Sequence, residues 1–342
     1  VSGIDFTYTD FKRPSFFNGA VDTVDPFSPN QGLFGGGSTA LQTATILDTA
    51  FFAEDQFSVT DRLKLVAGTR TAAIHLDREG FTATGASNAL QTFSQNFTAT
   101  TWRAGVVYDV LPEATVYGQY ATAVDPVSSS LFVARANQKF ELATGMQWEV
   151  GAKGQFWNKR AEWTVAYFDI VRKNILTQIS QIDALNVGRQ SSKGVELDVA
   201  AKLTDAWRIQ GNITFLSAKF DKFAQLSGGV PISRNGNRPP EVPQAVANLW
   251  SIYRVSTPIP FDVGAAMRYV GDRYNDPANT IRLKPYMTAD AWMSVPYKQF
   301  WITLRGRNLF DKSYAIFGSQ FYPNQVLMGA PRTVELSVMG RF

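Results

Sequence analysis

The sequence predicts an all-β fold, a transmembrane antiparallel up-and-down β-barrel, and three observations support it. Apolar and polar residues alternate with a period of two along many segments. The connections between these segments alternate between very short and long. In the segments with the clearest alternation, the charged residues keep to one face. Together these features are typical of a barrel whose other face contacts lipid.

The composition of the 342-residue chain excludes several functional classes. Cys is 0 and His is 1, which excludes a disulfide framework, a thiolate metal site and a histidine-rich metal site. Charged residues make up 18% and aromatic residues 13%, with a net charge of +4. Because the basic residues form no stripe, we expect no nucleic-acid partner. No stretch approaches 18 uncharged apolar residues, so no transmembrane helix is expected.

Fourteen strands are predicted in chain order. Their approximate ranges are 1–9, 46–59, 62–78, 96–110, 114–124, 144–157, 161–174, 192–203, 207–220, 242–255, 261–271, 284–297, 300–310 and 332–342. Seven long connections alternate without a break with six short ones, such as those at 60–61, 204–206 and 298–299. In an antiparallel meander this places all tight turns at one end and all long loops at the other. Outer-membrane barrels have this asymmetry, with the tight turns in the periplasm.

The faces of the predicted strands indicate which side meets lipid. In the segment 261–269, Phe261, Val263, Ala265 and Met267 alternate with polar residues that include Arg268. The segments 195–203, 286–296, 300–307 and 334–342 follow the same rule. The alternative is a soluble barrel or sandwich whose apolar face is its core. Fourteen long strands would enclose too wide an interior for side chains to fill, so we expect the apolar face to point outward.

Several segments resemble the barrel of TonB-dependent siderophore receptors. They are 51–56 (FFAEDQ) with 60–63 (TDRL) and 67–70 (AGTR), 148–154 (WEVGAKG) with 166–170 (AYFDI), 192–197 (SKGVEL), 236–243 (GNRPPEVP), 308–314 (NLFDKSY) and 329–333 (GAPRT). The order and spacing of these segments match the family along essentially the whole chain.

The resemblance implies an outer-membrane receptor that imports ferric siderophores. It implies that residues 1–342 are the C-terminal portion of a barrel of about 22 strands. The plug domain and the early strands are then expected outside this chain. The implied partners are a ferric siderophore, outer-membrane lipids and lipopolysaccharide, TonB through the missing N-terminal region, and the barrel-assembly machinery through Phe342. No cofactor is implied, because iron arrives only inside its chelator.

Ligand contacts are expected on the long loops, where arginine and aromatic side chains occur together. Arginine supplies charge and directed donors, and aromatic rings supply flat contact area for an anionic, aromatic-rich chelate. The candidate contacts are Phe132, Arg135, Arg234, Arg238, Arg273, Tyr274, Phe321 and Tyr322. The segment 308–314 is interpreted as structural, because Asp311 can hold a turn with its side chain.

Three other functional classes remain as alternatives. A passive porin fits the barrel but does not explain the family segments. An outer-membrane hydrolase would need His75 as its base, with Asp77 and Ser58 as the nearest companions, and Ser58 is expected near the other end of its strand. We therefore expect no enzyme activity and interpret His75 as a hydrogen-bonding residue at the rim. A soluble β-binding module is the last alternative.

Overall fold

The computed structural model describes residues 1–14, 40–82, 85–89, 91–125, 141–178, 184–227, 230–318 and 325–340. Fourteen strands form the main sheet: β1 (Ser2–Pro14), β2 (Ala40–Ser58), β3 (Leu63–Gly80), β4 (Phe93–Leu111), β5 (Ala114–Asp125), β6 (Ala143–Phe156), β7 (Ala161–Gln178), β8 (Ala184–Lys202), β9 (Trp207–Lys222), β12 (Ala245–Val255), β13 (Phe261–Val270), β16 (Tyr286–Tyr297), β17 (Phe300–Arg307) and β20 (Thr333–Gly340). Each of the fourteen predicted strands is confirmed. Within the described residues, no helix is long and apolar enough to cross a membrane.

The sheet is a continuous antiparallel meander in chain order. Every strand pairs with the strand before and after it, and β1 and β20 are the two edges. This topology confirms that the tight turns share one end of the sheet, here named the tight-turn end. The opposite end is the long-loop end.

Six short strands form hairpins within the long loops, and the sequence did not predict them. They are β10 (Ala224–Ser227) with β11 (Val230–Ser233), β14 (Arg273–Tyr274) with β15 (Arg282–Leu283), and β18 (Ala315–Gly318) with β19 (Val326–Met328). At two to four residues each, they are too short to show an alternating pattern.

Several main strands extend further toward the long-loop end than predicted. β1 continues to Pro14 instead of residue 9, β2 begins at Ala40 instead of 46, and β8 begins at Ala184 instead of 192. In these extensions polar residues occupy both faces: Lys12 and Thr43 lie on one face, and Arg13 and Gln42 on the other. The backbone ladder continues there without the apolar alternation that marks a strand in the sequence.

Strand register aligns the apolar residues of neighbouring strands on one face, here named the apolar face. Leu197 of β8 lies opposite Ile213 of β9, and Ile213 lies opposite Ala247 of β12. The segments 207–215 and 261–269, here named the apolar runs, have an apolar residue or glycine at every second position. Each is nine residues long and has an aromatic residue at both ends. A membrane-spanning strand needs about 9–11 residues, and barrels carry aromatic girdles at both membrane surfaces.

The opposite face, here named the polar face, is crossed by ion pairs between strands. Arg70 contacts Asp48 at 3.1 Å and Asp5 at 3.3 Å, so it joins β3 to β2 and β1. Arg307 and Glu335 are 2.8 Å apart on β17 and β20. Charges at these positions are compatible with a wet interior and costly in lipid, which supports the predicted assignment of the faces.

Two tight turns use the same local hydrogen bonds. The Oγ1 atom of Thr60 accepts from the amides of Arg62 and Leu63, at 3.2 and 3.0 Å. Thr204 Oγ1 accepts from the amides of Ala206 and Trp207, also at 3.2 and 3.0 Å. A threonine hydroxyl that bonds to amides two and three residues ahead fixes a turn without help from the rest of the chain.

Candidate functional site at the long-loop end

Three long loops meet at the long-loop end through the side chain of Arg273. Its Nε atom donates to Oε2 of Glu241 at 2.7 Å, and its Nη2 atom donates to the carbonyl oxygens of Ala315 and Ile316, both at 2.7 Å. Glu241 Oε1 accepts from the amide of Gly318 at 2.9 Å. Arg273 is only 3% exposed. This arrangement, here named the loop clasp, joins the β9–β12, β13–β16 and β17–β20 connections.

A second set of contacts ties the first two of these loops together. The amide of Arg238 donates to Oδ1 of Asn279 at 2.9 Å, and Nδ2 of Asn279 donates to the carbonyl of Arg238 at 2.8 Å. Arg238 Nη1 donates to the carbonyl of Asp272 at 3.0 Å. The Arg238 guanidinium also lies 5.2 Å from the ring centroid of Tyr274. The two loops are therefore fixed relative to each other by backbone as well as side-chain bonds.

Asp272 lies between two arginines beside the loop clasp. Its Oδ2 atom is 3.1 Å from Nε of Arg282 and 3.6 Å from Nη1 of Arg238. The hydrogen bond from Arg282, together with the positive charges of Arg282 and Arg238, holds the pKa of Asp272 below its usual range. Asp272 is therefore a carboxylate at neutral pH, and its contribution to the loop is lost only as the pH falls through that lowered value.

The β13–β16 loop is shaped by its own turn residues. Asp276 accepts from the amides of Thr280 and Ile281 at 2.9 and 2.8 Å, and from the hydroxyl of Thr280 at 2.9 Å. Asn279 has a φ of 58°, which asparagine tolerates better than most residues. The loop thus presents Tyr274 and Arg282 from a fixed backbone.

Below the loop clasp, the last long loop packs against the polar face. The rings of Tyr286 and Tyr314 stack with centroids 4.3 Å apart, and the Arg273 guanidinium lies 5.8 Å from the Tyr286 ring centroid. A cavity of about 410 Å³ lies between this loop and strands β12, β13 and β16. Arg268, Thr288 and Asp290 are among its lining residues. The site therefore offers both aromatic surface and charge beneath the loops.

Four of the eight predicted contact residues lie in or next to this assembly. Arg238, Arg273 and Tyr274 belong to the clasp region, and Arg234 is half-buried on the neighbouring hairpin, where its Nε donates to Oε1 of Gln225 at 3.0 Å. Phe132, Arg135, Phe321 and Tyr322 lie outside the described residues. Glu241 and Asp272 were not predicted as site residues. The one signal for them was that they lie close in sequence to Arg238 and Arg273.

The segment that begins at Asn308 is confirmed as structural. Asn308 Nδ2 donates to the carbonyls of Lys312 and Ala330, both at 3.0 Å, and its Oδ1 accepts from the amide of Lys312 at 2.9 Å. Asp311 Oδ1 accepts from the amide of Arg332 at 2.8 Å, 21 residues along the chain. This side chain therefore joins the two ends of the last long loop, which is a structural role but a different one from the local turn that was predicted.

His75 is hydrogen-bonded, as predicted, and is not part of a catalytic triad with Ser58. Its Nδ1 atom lies 2.6 Å from Oδ1 of Asn96, and its Nε2 atom lies 2.8 Å from Oδ2 of Asp77. Ser58 pairs with Lys64 at the tight-turn end, whereas His75 pairs with Leu47 further along the sheet. Among the described residues, no group of three or more His, Cys, Asp or Glu residues is arranged to hold a metal ion.

Comparison with known proteins identifies the family. Residues 2–309 match the model of the TonB dependent receptor-like β-barrel. The chain belongs to this family. A TonB-dependent receptor barrel lies in the bacterial outer membrane, which agrees with the length of the apolar runs and their aromatic ends.

The receptor barrel is similar to known siderophore receptors. It is 29% identical to the probable TonB-dependent siderophore receptor PiuA of Acinetobacter baumannii, over 79% of this chain and 38% of that protein. It is 28% identical to the ferrichrome outer membrane transporter/phage receptor of Escherichia coli K12, over 71% of this chain and 32% of that protein. The chain therefore spans less than half the length of these relatives.

Solved structures show the same fold. The crystal structure of the siderophore receptor PiuA from Acinetobacter baumannii matches with a TM-score of 0.78 at 26% identity, over 88% of this chain and 44% of that one. The closed form of the ferric-catecholate import receptor Fiu from E. coli K12 matches with a TM-score of 0.81 at 22% identity, over 98% of this chain and 51% of that one. At 22% identity, the second match supports the fold alone.

Proposed function

We propose that this barrel is the C-terminal part of an outer-membrane receptor that imports ferric siderophores with energy supplied through TonB. The observation that carries the proposal is the family match over residues 2–309, combined with relatives that are siderophore receptors. In this proposal the plug domain and the remaining strands, in a barrel of about 22, belong to the rest of the receptor. TonB acts through that part of the protein.

The long-loop end is proposed to face the cell exterior, and the tight-turn end the periplasm. Short periplasmic turns and longer extracellular loops are the rule in bacterial outer-membrane barrels. The polar face then lines the lumen, where inter-strand ion pairs such as Arg70–Asp48 meet water or the plug. The apolar face contacts lipid.

The chelate is proposed to bind at the vestibule formed by the long loops. In the described part of the chain, Arg234 and Tyr274 are the strongest candidates for direct contact, because both are partly exposed. Arg238 and Arg273 are proposed to position the loops, since their guanidinium groups already bind Asp272 and Glu241. Phe132, Arg135, Phe321 and Tyr322 remain predicted contacts.

Iron is treated as cargo inside its chelator, and no cofactor or enzyme activity is proposed. Arginine and tyrosine recognise an anionic, aromatic chelate through charge, directed hydrogen bonds and ring contact. Contact of the C-terminal Phe342 with the barrel-assembly machinery also remains a proposal, and this residue lies outside the described part of the chain.

The proposal is tested by iron-limited growth with the full-length receptor in a strain that lacks its own siderophore receptors. Ferric catecholates and ferric hydroxamates are supplied separately, with and without TonB. We expect growth on at least one chelate class when TonB is present, and no growth on that chelate when TonB is absent. In binding titrations with that chelate, Arg234→Gln is expected to weaken affinity by about tenfold, the scale of one lost charge-assisted hydrogen bond. Arg62→Gln, at an exposed tight turn, serves as the matched control.

Two results would contradict the proposal. One is the absence of TonB-dependent uptake for every chelate class tested. The other is a steady ion conductance of the full-length protein in planar bilayers with no chelate binding, which would favour a passive porin.

A further inference from the structure

The apolar face of β1–β3 carries an excess of negative charge toward the long-loop end. Asp10 follows Tyr8 by one alternation step on β1, so the charges begin just beyond the apolar side chains. The charged residues at this level are Asp10 and Lys12 on β1 and Asp77 and Glu79 on β3. With His75 neutral, three carboxylates and one lysine leave an excess of two negative charges. Asp10, Asp77 and Glu79 are here named the acidic patch.

The apolar face of β7–β9 carries the opposite charge beyond its apolar side chains. Its cations are Lys173 on β7, Arg189 and Lys193 on β8, and Lys219 on β9, here named the basic patch. Asp169 lies opposite Lys193, and Asp221 lies 3.3 Å from Nε of Arg189. Four cations and two carboxylates leave an excess of two positive charges. The side chains of Arg189 and Lys219 are 50% and 57% exposed, so they are accessible to a partner.

The three strands between the two patches form an uncharged strip. Within the described ranges of β4, β5 and β6, no charged residue lies on the apolar face. This face instead presents Trp102, Tyr120 and Trp148, one from each strand. The ring centroid of Tyr120 is 4.8 Å from that of Trp102 and 4.8 Å from that of Trp148. The two tryptophans are 48% and 60% exposed, so the centre of the strip is an exposed aromatic surface.

The order of these surfaces around the sheet is complementary to itself under a two-fold rotation. Two copies in one membrane point the same way, so a two-fold axis that relates them must lie along the membrane normal. If this axis passes beside β5, the strands of the two copies run past each other in opposite order. β3 of each copy then faces β7 of the other, and β2 faces β8. The acidic patch meets the basic patch twice, and the two uncharged strips meet at the centre, which is an isologous contact.

We propose that the receptor barrel associates with a second copy of itself through this two-fold contact centred on β5. Trp102, Tyr120 and Trp148 form its centre, because exposed aromatic residues are favoured in the cores of interfaces. The acidic and basic patches form its two flanks and set the orientation of the copies. An anionic ligand would match the basic patch alone, and a cation the acidic patch alone. A second copy satisfies both patches and covers the strip between them. The inference goes beyond the chelate uptake proposed above and does not depend on the chelate.

The size of the contact indicates a reversible association. Neighbouring strands are about 5 Å apart and the apolar band of a barrel is about 25 Å tall, so β3–β7 offer about 500 Å² per partner. Stable complexes of soluble proteins bury about 800 Å² per partner. The association is therefore expected to depend on the density of the receptor in the membrane, and the test captures it there.

The test captures the contact with a single cysteine, since the chain has none of its own. A residue beside a two-fold axis meets its own copy. Val124 of β5 lies on the apolar face opposite Thr144, which lies opposite Lys173, so it is at the level of the basic patch. Ser217→Cys, on the same face of β9 and opposite Lys193, is the control four strands from β5 in the sheet.

Outer membranes that contain the full-length receptor variants are oxidised with copper phenanthroline, and disulfide dimers are measured on non-reducing gels. Val124→Cys is expected to give at least about fivefold more dimer than Ser217→Cys, because charge complementarity holds one orientation. At 1 M salt, where the Debye length is about 3 Å, this excess is expected to fall. Equal dimer from both positions would indicate random collision and would overturn the proposal, as would an excess that salt leaves unchanged.

A charge exchange separates direct contact from a bridging lipid. In the Val124→Cys protein, Asp77→Lys/Glu79→Lys is expected to lower the dimer fraction about fivefold, because basic residues then face the basic patch. Adding Lys173→Glu/Lys193→Glu exchanges the signs and is expected to restore the dimer. An undiminished dimer in the first variant would overturn the proposal and indicate that lipid phosphates bridge the copies. No restoration in a folded exchange variant would also overturn it. If a charge variant does not fold, the cysteine pair and its salt dependence still decide.

Discussion

The tight-turn end and the long-loop end of the sheet hold their connections in different ways. At the tight-turn end, Thr60 and Thr204 each bond to amides two and three residues ahead in their own turn. At the long-loop end, Arg273 and Glu241 are 32 residues apart and belong to different connections. Both also bond to a third connection, Arg273 to the carbonyl of Ala315 and Glu241 to the amide of Gly318. One end is fixed by local sequence and the other by tertiary contacts.

This difference has a functional consequence. A locally determined turn tolerates changes elsewhere in the chain, because its hydrogen bonds form within a few residues. A loop that depends on two other loops moves with them, so a ligand that orders one loop also favours the arrangement of the others. In the proposed receptor, the loop clasp would give the vestibule one preorganised shape on the β9–β20 side.

The largest effect is expected from breaking the loop clasp with Arg273→Met. This change removes the partner of Glu241, and loss of one member of a buried ion pair costs about 3 kcal/mol. The amide of Gly318, which donates to Glu241, is then expected to exchange its hydrogen about 100-fold faster. Hydrogen exchange read out by mass spectrometry on the full-length receptor measures this change.

The exposed arginine of the same loop provides the control for that experiment. Arg282 is 61% exposed and pairs with Asp272 at 3.1 Å. Because exposed ion pairs contribute little, Arg282→Gln is expected to leave exchange at Gly318 nearly unchanged. Equal protection of Gly318 in the wild type and in Arg273→Met would show that the clasp does not hold the third loop.

A smaller and strictly local effect is expected from Thr204→Ala at the tight-turn end. The change removes the acceptor for the amides of Ala206 and Trp207 and is expected to cost about 1 kcal/mol. Thr204→Ser keeps the hydroxyl and should retain most of that stability. The midpoint of unfolding, followed by heat-modifiable gel mobility, measures both variants. Faster exchange at Gly318 in Thr204→Ala would contradict the separation of the two ends.

The sequence predicted the features that depend on short-range patterns. Alternation and turn composition were sufficient for the fourteen strands, their order and the two kinds of connection. The same patterns were insufficient where polar residues occupy both faces, as in the extension of β8 back to Ala184. A backbone ladder needs no apolar side chains, so its full length was not visible in the sequence.

The candidate site was only partly predictable for a different reason. Arginine and tyrosine in the long loops pointed to the long-loop end, and four of the eight predicted contact residues lie in or next to the loop clasp; their contact with a ligand stays a prediction. The role of Arg273 depends on Glu241 and on the carbonyls of Ala315 and Ile316, which approach it only after three loops have folded. An arginine in a loop looks the same in sequence whether it binds a ligand or another loop.

The most direct test of the account is the sidedness of the two ends in living cells. The chain has no cysteine, so Ser233→Cys on the β10–β11 hairpin and Ser256→Cys at the β12–β13 turn form a matched pair of exposed sites. Intact cells that express the full-length receptor are treated with a polyethylene-glycol maleimide too large to cross the outer membrane, with a periplasmic protein as the leakage control. We expect labelling at residue 233 in intact cells, and labelling at residue 256 only after the outer membrane is permeabilised. The reverse result, or labelling of both sites without leakage, would contradict it.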